Sequence, residues 1–256
     1  MAINPVAAGG FASAAATYAR IRPAYARPAV GAIADLARSM APGGRVLDVA
    51  AGTGILTGQL ARLGLRIIAV EPLEEMVRHL RRAVPGAPTV RAVAETLPVV
   101  DHSVGLCTVA QAFHWFEQPA ALAELWRVLE PGAALALIWN ARDESEPWVA
   151  ALTDLVEQRT GGRPYDDHRE RPWARVVADS GGFSPLDSSS YPNPVPTDVE
   201  GVLDRLRSTS FVAALPEVSR DDLVADARML LVDDFGLSGT FAYPHDTMLH
   251  ICRTLV

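Results

Sequence analysis

The 256-residue sequence predicts an α/β fold, a doubly wound, mostly parallel seven-stranded sheet with a helical cap inserted near the C-terminus. Three observations predict it. Between residues 45 and 139, short apolar runs alternate with segments of helical periodicity, as strand–helix–strand units do. A glycine-bearing turn, Ala50-Ala51-Gly52-Thr53-Gly54, stands where the first apolar run meets the first helix. After Asn140 the alternation gives way to helices, and a strand-like run returns only at 240–251.

The elements follow in order. Residues 1–27 are small, aromatic and arginine-bearing, and form an expected N-terminal lid. Pro28 suits a first helical turn, and Val30, Ile33, Ala34 and Ala37 then share one helical face. Pro42-Gly43-Gly44 ends that helix. Strands are expected at 45–50, 66–71, 90–94, 104–110 and 133–139, with helices at 54–63, 74–83 and 119–129. The run 104–110 is apolar throughout, as buried parallel strands are. Residues 28–140 thus form the expected core. Residues 141–236 form the expected cap, with helices at 146–160, 170–180, 198–207 and 217–234 and a sheet strand; the proline-rich 191–196 breaks its rhythm. Residues 237–256 carry the last strand back to the sheet.

The net charge of -7 argues against a nucleic-acid surface, which needs clustered cations. No apolar run is long enough to span a bilayer, and the N-terminus lacks the pattern of a signal peptide, so a cytoplasmic protein is expected. Cys107 and Cys252 form no motif and read as reduced core thiols. There is no lysine; every basic residue is arginine, which removes lysine as nucleophile or base.

The sharpest motif is Val46-Leu47-Asp48-Val49-Ala50-Ala51-Gly52-Thr53-Gly54. Gly52 and Gly54 let a ligand approach the backbone at the strand's carboxyl end. A second acid, Glu71, closes the second strand where it can accept from a ribose diol. Dinucleotides and S-adenosylmethionine (SAM) both use this geometry. A dinucleotide wants a third small residue where Thr57 stands, and the Asp48 charge is awkward beside a pyrophosphate. SAM carries an ammonium and a sulfonium, which welcome acids. The pattern therefore favours SAM.

At these residues the sequence resembles the class I SAM-dependent methyltransferases, whose first motif is D/E-x-G-x-G-x-G. Here Ala50 replaces the first glycine, a small-for-small change. More narrowly it resembles the type 11, trans-aconitate methyltransferase-like branch that acts on small molecules. That likeness rests on Tyr18-Ala19-Arg20-Ile21-Arg22-Pro23-Ala24-Tyr25, on Val70-Glu71-Pro72 with Met76, and on Ala94-Glu95-Thr96-Leu97-Pro98. It also rests on Ala110-Gln111-Ala112-Phe113-His114-Trp115-Phe116 and Glu124-Leu125-Trp126-Arg127-Val128-Leu129-Glu130-Pro131-Gly132. Gly105 departs from it, since many relatives carry aspartate there. The resemblance implies a Rossmann-like sheet with SAM as cofactor. Asp48, Ala50, Gly52, Thr53 and Gly54 would then form the cofactor turn, with Gly52 and Gly54 facing the methionine part. Glu71 would hold the ribose, flanked by Pro72 and Met76. Ala94 and Glu95 would border the adenine, and Gln111 would contact the methionine end. Tyr18, Arg22 and Tyr25 would fold over the cofactor.

Each residue also has a plainer reading. Asp48 either acts on the SAM ammonium or caps the following turn. Arg22 neutralises a cofactor or acceptor carboxylate, or is a surface arginine. Tyr18 and Tyr25 are lid or core aromatics. His114 is either a general base at the edge of the methyl-transfer pocket or a packed imidazole. Trp115 and Trp139 either wall an apolar pocket or are ordinary core aromatics, and with Asn140 they complete the expected pocket residues. Trp148, Trp173, Tyr191 and Phe211 in the cap suggest a small, partly apolar acceptor. His168, His245 and His250 lack metal-ligand spacing, Asp166-Asp167 reads as a helix start, and no metal site is expected. The expected function is methylation of a small carboxylate, hydroxyl or amine acceptor, with no nucleic-acid or membrane partner; a homodimer is compatible with the sequence. The alternatives are a SAM-binding enzyme of non-methylating chemistry, such as SAM cyclisation, and a dinucleotide-dependent oxidoreductase.

Overall fold

A computed structural model describes residues 22–40, 45–162 and 172–255; Tyr18 and Asp166-Asp167-His168 lie outside them. The chain opens on α1 (Arg27–Met40) and enters β1 (Arg45–Val49), α2 (Ile55–Arg62), β2 (Arg66–Val70), α3 (Glu74–Ala83) and β3 (Thr89–Val90). Next come β4 (Val104–Ala110), a 3₁₀ turn (Phe113–Trp115), α4 (Gln118–Val128) and β5 (Leu129–Arg142). Helices α5 (Pro147–Thr160) and α6 (Pro172–Asp179) precede β6 (Asp187–Pro192) and β7 (Val195–Thr197). Helices α7 (Val199–Arg207), α8 (Ser210–Ala213) and α9 (Glu217–Met229) follow, with a π turn (Leu230–Asp234), β8 (Phe241–Tyr243) and β9 (His245–Arg253).

Seven strands form one mixed sheet in the order β3-β2-β1-β4-β5-β9-β6. From β3 to β5 every pairing is parallel, and β9 runs antiparallel to both β5 and β6. This is the expected sheet. Strand periodicity sorts its side chains between two cores. Leu47, Val49, Cys107, Val109, Leu135, Leu137 and Trp139 pack under α4 and α6. Val46, Ile67, Leu106, Ala134, Ala136, Ile138 and Leu249 pack under α1 and α2. The helices after β5 gather a third apolar cluster, built from Trp148 and Leu152 of α5, Leu203 of α7, Phe211 of α8 and Leu223 of α9. Both cysteines are free and buried.

Four expected elements differ. The third strand shrinks to Thr89–Val90, with a single bridge from Val93 to Thr96 beyond it. The fifth starts earlier: β5 absorbs Pro131-Gly132 through a register shift in which Val104 pairs with Leu129 but Leu106 with Ala134. The proline-rich stretch does not simply interrupt the fold. Pro192 ends β6, a sheet edge where a missing N–H is tolerated, and Pro196 lies in β7. The last strand splits at Pro244, so that β8 pairs with β7 in a separate two-stranded sheet while β9 returns to the main one.

Candidate active site

The turn from β1 to α2 sits at the carboxyl end of the central strands. Ala50, Gly52 and Gly54 have φ of 56, 58 and 86°, all left-handed. Gly54 meets this need at its N-cap position, and a Cβ there would also press on Leu80 of α3, at 3.1 Å. A Cβ on Gly52 would point into open space, so this turn presents bare backbone outward. Ala50 is different. Alanine avoids this region because its Cβ crowds the following carbonyl, at a cost of about 1–2 kcal/mol. Ala50→Gly removes that strain but loosens the unfolded chain. We expect a net stabilisation of about 0.5–1 kcal/mol by urea denaturation. A variant no more stable than wild type would show that the turn carries no strain at this position.

Asp48 lies beneath this turn, fully buried. Its carboxylate accepts from the Thr57 hydroxyl at 2.5 Å and the Thr108 hydroxyl at 2.8 Å. One side chain therefore ties β1 to α2 and β4. Burial pushes its pKa up to about 6 against these stabilising hydrogen bonds. Both of its plain and functional readings start from this buried position: the side chain holds the turn from within rather than facing a ligand directly. Thr57, noted only as the wrong residue for a dinucleotide, is the partner that makes the arrangement possible.

Glu71 follows β2 and is 4% exposed. Its carboxylate reaches back to the glycine turn, accepting from the Gly52 N–H at 2.9 Å and the Leu73 N–H at 3.0 Å. Burial raises its pKa, with the nearby Asp48 charge adding to the shift. The expected pair of acids thus converges on the turn. Thr53 adds a buried hydroxyl with no partner, a donor in want of a ligand in the same loop. Met76 is buried in α3 and Pro72 half-buried just before it. Ala94 is buried, and Glu95 accepts from the Glu117 N–H at 2.9 Å. Arg127 pins that loop, donating to the carbonyls of Leu97 and Val99 while pairing with Glu124 and Asp101.

Gln111 ends β4 in a left-handed conformation, φ 57°, and its side-chain amide donates to the Asn140 carbonyl at 3.3 Å. Left-handed non-glycine residues at the ends of two adjacent strands, Ala50 and Gln111, form a pattern found where a structure presents a ligand. His114 and Trp115 follow in the 3₁₀ turn, half-buried, with ring centroids 4.8 Å apart.

Asn140 is the centre of a polar latch. Its amide donates to the carbonyls of Pro23 and Ala24, each at 3.2 Å. Its oxygen accepts from Thr247 at 2.6 Å and Asn193 at 3.1 Å. Thr247 also accepts from the Ala26 N–H, and Gln59 exchanges two hydrogen bonds with the Tyr25 backbone. The segment before α1 is thereby fastened to α2, β5 and β9. Tyr25 is buried against α1 and α2, whereas Arg22 is half-buried. Thr247, Asn193 and Gln59 were missed because nothing in their local sequence marks them.

The expected aromatic walls are corrected by the packing. Trp139 is buried and stacks on Trp173 at 4.6 Å, joining β5 to α6. Trp148 and Phe211 are buried in the cluster of the later helices. These aromatics pack elements together. Among the described residues, Trp115 is the expected pocket tryptophan that stays half-exposed.

Open α/β sheets place their ligands outside the carboxyl ends of the strands, and here an acid–glycine turn after β1 and a second acid after β2 meet at that edge. A family described as a methyltransferase domain matches residues 47–137, from β1 into β5. The chain is 33% identical over 240 residues to an uncharacterized methyltransferase of Mycobacterium tuberculosis, covering 93% of each chain. A methyltransferase structure from Anaeromyxobacter dehalogenans matches 91% of this chain and 97% of its own at 26% identity, with a TM-score of 0.64. An N-methyltransferase of Haemonchus contortus, solved with S-adenosylhomocysteine, shares the fold at 14% identity and a TM-score of 0.55, over 96% of this chain and 58% of that one. The chain belongs to the class I SAM-dependent methyltransferases. The dinucleotide-dependent oxidoreductase alternative falls with that assignment.

Proposed function

We propose that this chain binds SAM over the Ala50–Gly54 turn and transfers its methyl group to a small-molecule acceptor. One observation carries the reading: the Glu71 carboxylate is held at the Gly52 N–H, so an acid and a bare backbone turn meet at one place. Two oxygens offer about four acceptor positions, and the Gly52 and Leu73 N–H groups use two, which leaves capacity for a ribose diol. The orphaned Thr53 hydroxyl fits the same group. SAM supplies an activated methyl, displaced in line by the acceptor. The protein's task is to align the acceptor and exclude water. In this reading the helices between β5 and β9 cover the acceptor as a cap. His114, at the end of β4, takes a proton from a hydroxyl or amine acceptor. Cytoplasmic placement accords with two buried, free thiols.

Thermal shift and product analysis test the reading together. SAM or S-adenosylhomocysteine at a hundredfold excess over its dissociation constant stabilises by about 2.7 kcal/mol, roughly 5–10 °C for a chain of this size. NAD is expected to leave Tm unchanged, and stabilisation by NAD alone would overturn the assignment. With an acceptor, S-adenosylhomocysteine is the expected product; methylthioadenosine would indicate cyclisation instead. In the same assay His114→Asn is expected to lower turnover about 10²–10⁴-fold without altering SAM affinity. Full turnover with an unchanged pH profile would remove His114 as the base.

A further inference from the structure

Strands β3 and β4 follow one another in sequence but stand apart in the sheet, with β2 and β1 between them. The crossover that joins them, residues 91–103, is irregular chain with one bridge, Val93 to Thr96. Irregular chain leaves backbone groups in need of partners. Helix α4 supplies them in order. Glu124 accepts from the Leu97 N–H at 2.6 Å, and Arg127 donates to the Leu97 carbonyl, so one ion pair holds both backbone groups of Leu97. Arg127 also donates to the Val99 carbonyl and pairs with Asp101. Further on, the Arg127 and Val128 carbonyls accept from the N–H groups of His102 and Ser103. The crossover thus lies alongside α4, with Ala94 and Leu97 buried in the core beneath.

At the start of α4 the contact is of another kind. The Glu95 carboxylate accepts from the Glu117 N–H at 2.9 Å. Glu117 is the N-cap of α4, and its own carboxylate accepts from the Ala120 N–H at 2.9 Å. That is one half of a capping box. In the full motif, the side chain three residues on reaches back to the N–H of the cap. Here that residue is Ala120, which has no acceptor, and Glu95 takes its place from 22 residues earlier. The same N–H lies two residues past Trp115. The 3₁₀ turn that carries His114 and Trp115 is closed by the Trp115 N–H on the Ala112 carbonyl and the Phe116 N–H on the Phe113 carbonyl. Phe113 is fully buried and anchors the entry to this turn. Glu95 holds its exit.

We propose that Glu95 is a positioning residue: it fastens the turn that carries His114 and Trp115 to the loop after β3, and so couples the cofactor site to the acceptor edge of the pocket. This rests on the reading of the chain as a methyltransferase whose cofactor places its adenine against Ala94. A ligand packed on Ala94 braces the next residue, and the Glu95 carboxylate passes that constraint to the Glu117 N–H. Beyond Glu95 the crossover is held by Glu124 and Arg127, so a shift at Ala94 is directed into the turn rather than along the chain. Glu95 then acts on the acceptor through the turn, and its charge is not what holds the adenine.

Two variants of the full chain separate reach from charge. Glu95→Gln keeps an oxygen that accepts at the same distance, whereas Glu95→Asp keeps the charge and is shorter by one methylene. Hydrogen exchange reads the contact itself. The Glu117 amide is expected to exchange about tenfold or more faster in Glu95→Asp, and within about threefold of wild type in Glu95→Gln. S-adenosylhomocysteine is then added. In wild type and Glu95→Gln its binding is expected to shift the NMR signals of the Trp115 indole and the His114 imidazole. In Glu95→Asp it is expected to bind within about threefold of the wild-type affinity and to leave those signals in place. Equal Glu117 exchange in all three proteins overturns the proposal. So does wild type that binds S-adenosylhomocysteine with no response at Trp115 or His114. An affinity lost in Glu95→Gln while both signals still respond also overturns it, since Glu95 would then act on the cofactor. Should Glu95→Asp not fold, slow Glu117 exchange in wild type, preserved in Glu95→Gln, upholds the contact, and fast exchange in wild type refutes it. Wild type that does not bind S-adenosylhomocysteine refutes the cofactor reading, and Glu117 exchange in the free variants still decides whether Glu95 holds the turn.

Discussion

Replacing His245 with glutamine is expected to change how stability depends on pH, by about 3 kcal/mol between pH 7 and pH 4. Burial, and after it the charges of Arg205, Arg142 and Arg22, depress the folded-state pKa of His245 to about 3, against 6.5 for an unperturbed imidazole. Between those values the unfolded chain binds the extra proton. The contribution of His245 is thus fully present above pH 6.5 and is lost as pH falls towards 3, at about 1.4 kcal/mol per unit. Asp48 works in the opposite direction. Its folded pKa is raised to about 6 from 3.8, so its buried charge costs about 3 kcal/mol above pH 6, and that cost disappears as pH falls below 3.8. Glu71, also raised by burial, adds to the acid-side gain. In wild type the terms oppose one another and flatten the profile. In His245→Gln only the acids remain, and stability is expected to rise on going from pH 7 to pH 4 relative to wild type. Urea denaturation of both proteins at pH 7, 5.5 and 4 measures this. Parallel profiles would mean that His245 takes up its proton equally readily in the folded and the unfolded chain.

Glu71→Ala is expected to weaken S-adenosylhomocysteine binding about 5- to 150-fold, the equivalent of 1–3 kcal/mol for hydrogen bonds to a charged group. Stability is expected to fall as well, because the Gly52 and Leu73 N–H groups lose the acceptor that now holds them. That second loss is about 1–3 kcal/mol and less if water enters. Glu71→Gln separates the two effects: it keeps one acceptor oxygen for the turn but places an amide where the second N–H donates. It should recover part of the stability and little of the affinity. Calorimetric titration gives the affinity and denaturation the stability. An unchanged dissociation constant in Glu71→Ala would take the residue out of the cofactor site and leave it as a brace for the turn.

The central sheet was legible because burial on both faces writes itself as near-continuous apolar runs, as in Val104–Ala110 with Thr108 as its one hydroxyl. Edge elements were harder. Asp187–Pro192 is a sheet strand made of Asp-Ser-Ser-Ser-Tyr-Pro, and a solvent-facing edge imposes no apolar pattern for a reader to find. The start of β5 was hidden by Pro131-Gly132, which reads as a stop although a register shift carries the strand through it. In the site, the motif residues from Asp48 to Gly54 and Glu71 could be found because their spacing along the chain determines their meeting. Asn140 was singled out, but its partners could not be: Thr247 and Asn193 reach it across 107 and 53 residues. The His245 environment is likewise made by tertiary folding, since Arg22, Arg142 and Arg205 come from three separate elements. Trp139 and Trp173 show why sequence leaves two readings open, since a large aromatic near a strand end is as useful for joining layers as for lining a pocket.

The latch at Asn140 also sets an order of assembly. The Ala26 N–H is held by Thr247, 221 residues later, and Asn140 itself waits for the same threonine. During synthesis the glycine turn, Glu71 and Gln111 all leave the ribosome before β9 exists. A nascent chain that has folded its first five strands therefore has the glycine turn, and Gln59 and Asn140 to hold the segment before α1, but not the Thr247 and Asn193 contacts that complete the latch. Loop closure over so long a separation is slow and comes late. The last strand is what converts an early-folding sheet into a finished site, so a chain cut short before His245 would keep its central motif and lack the closure beside it.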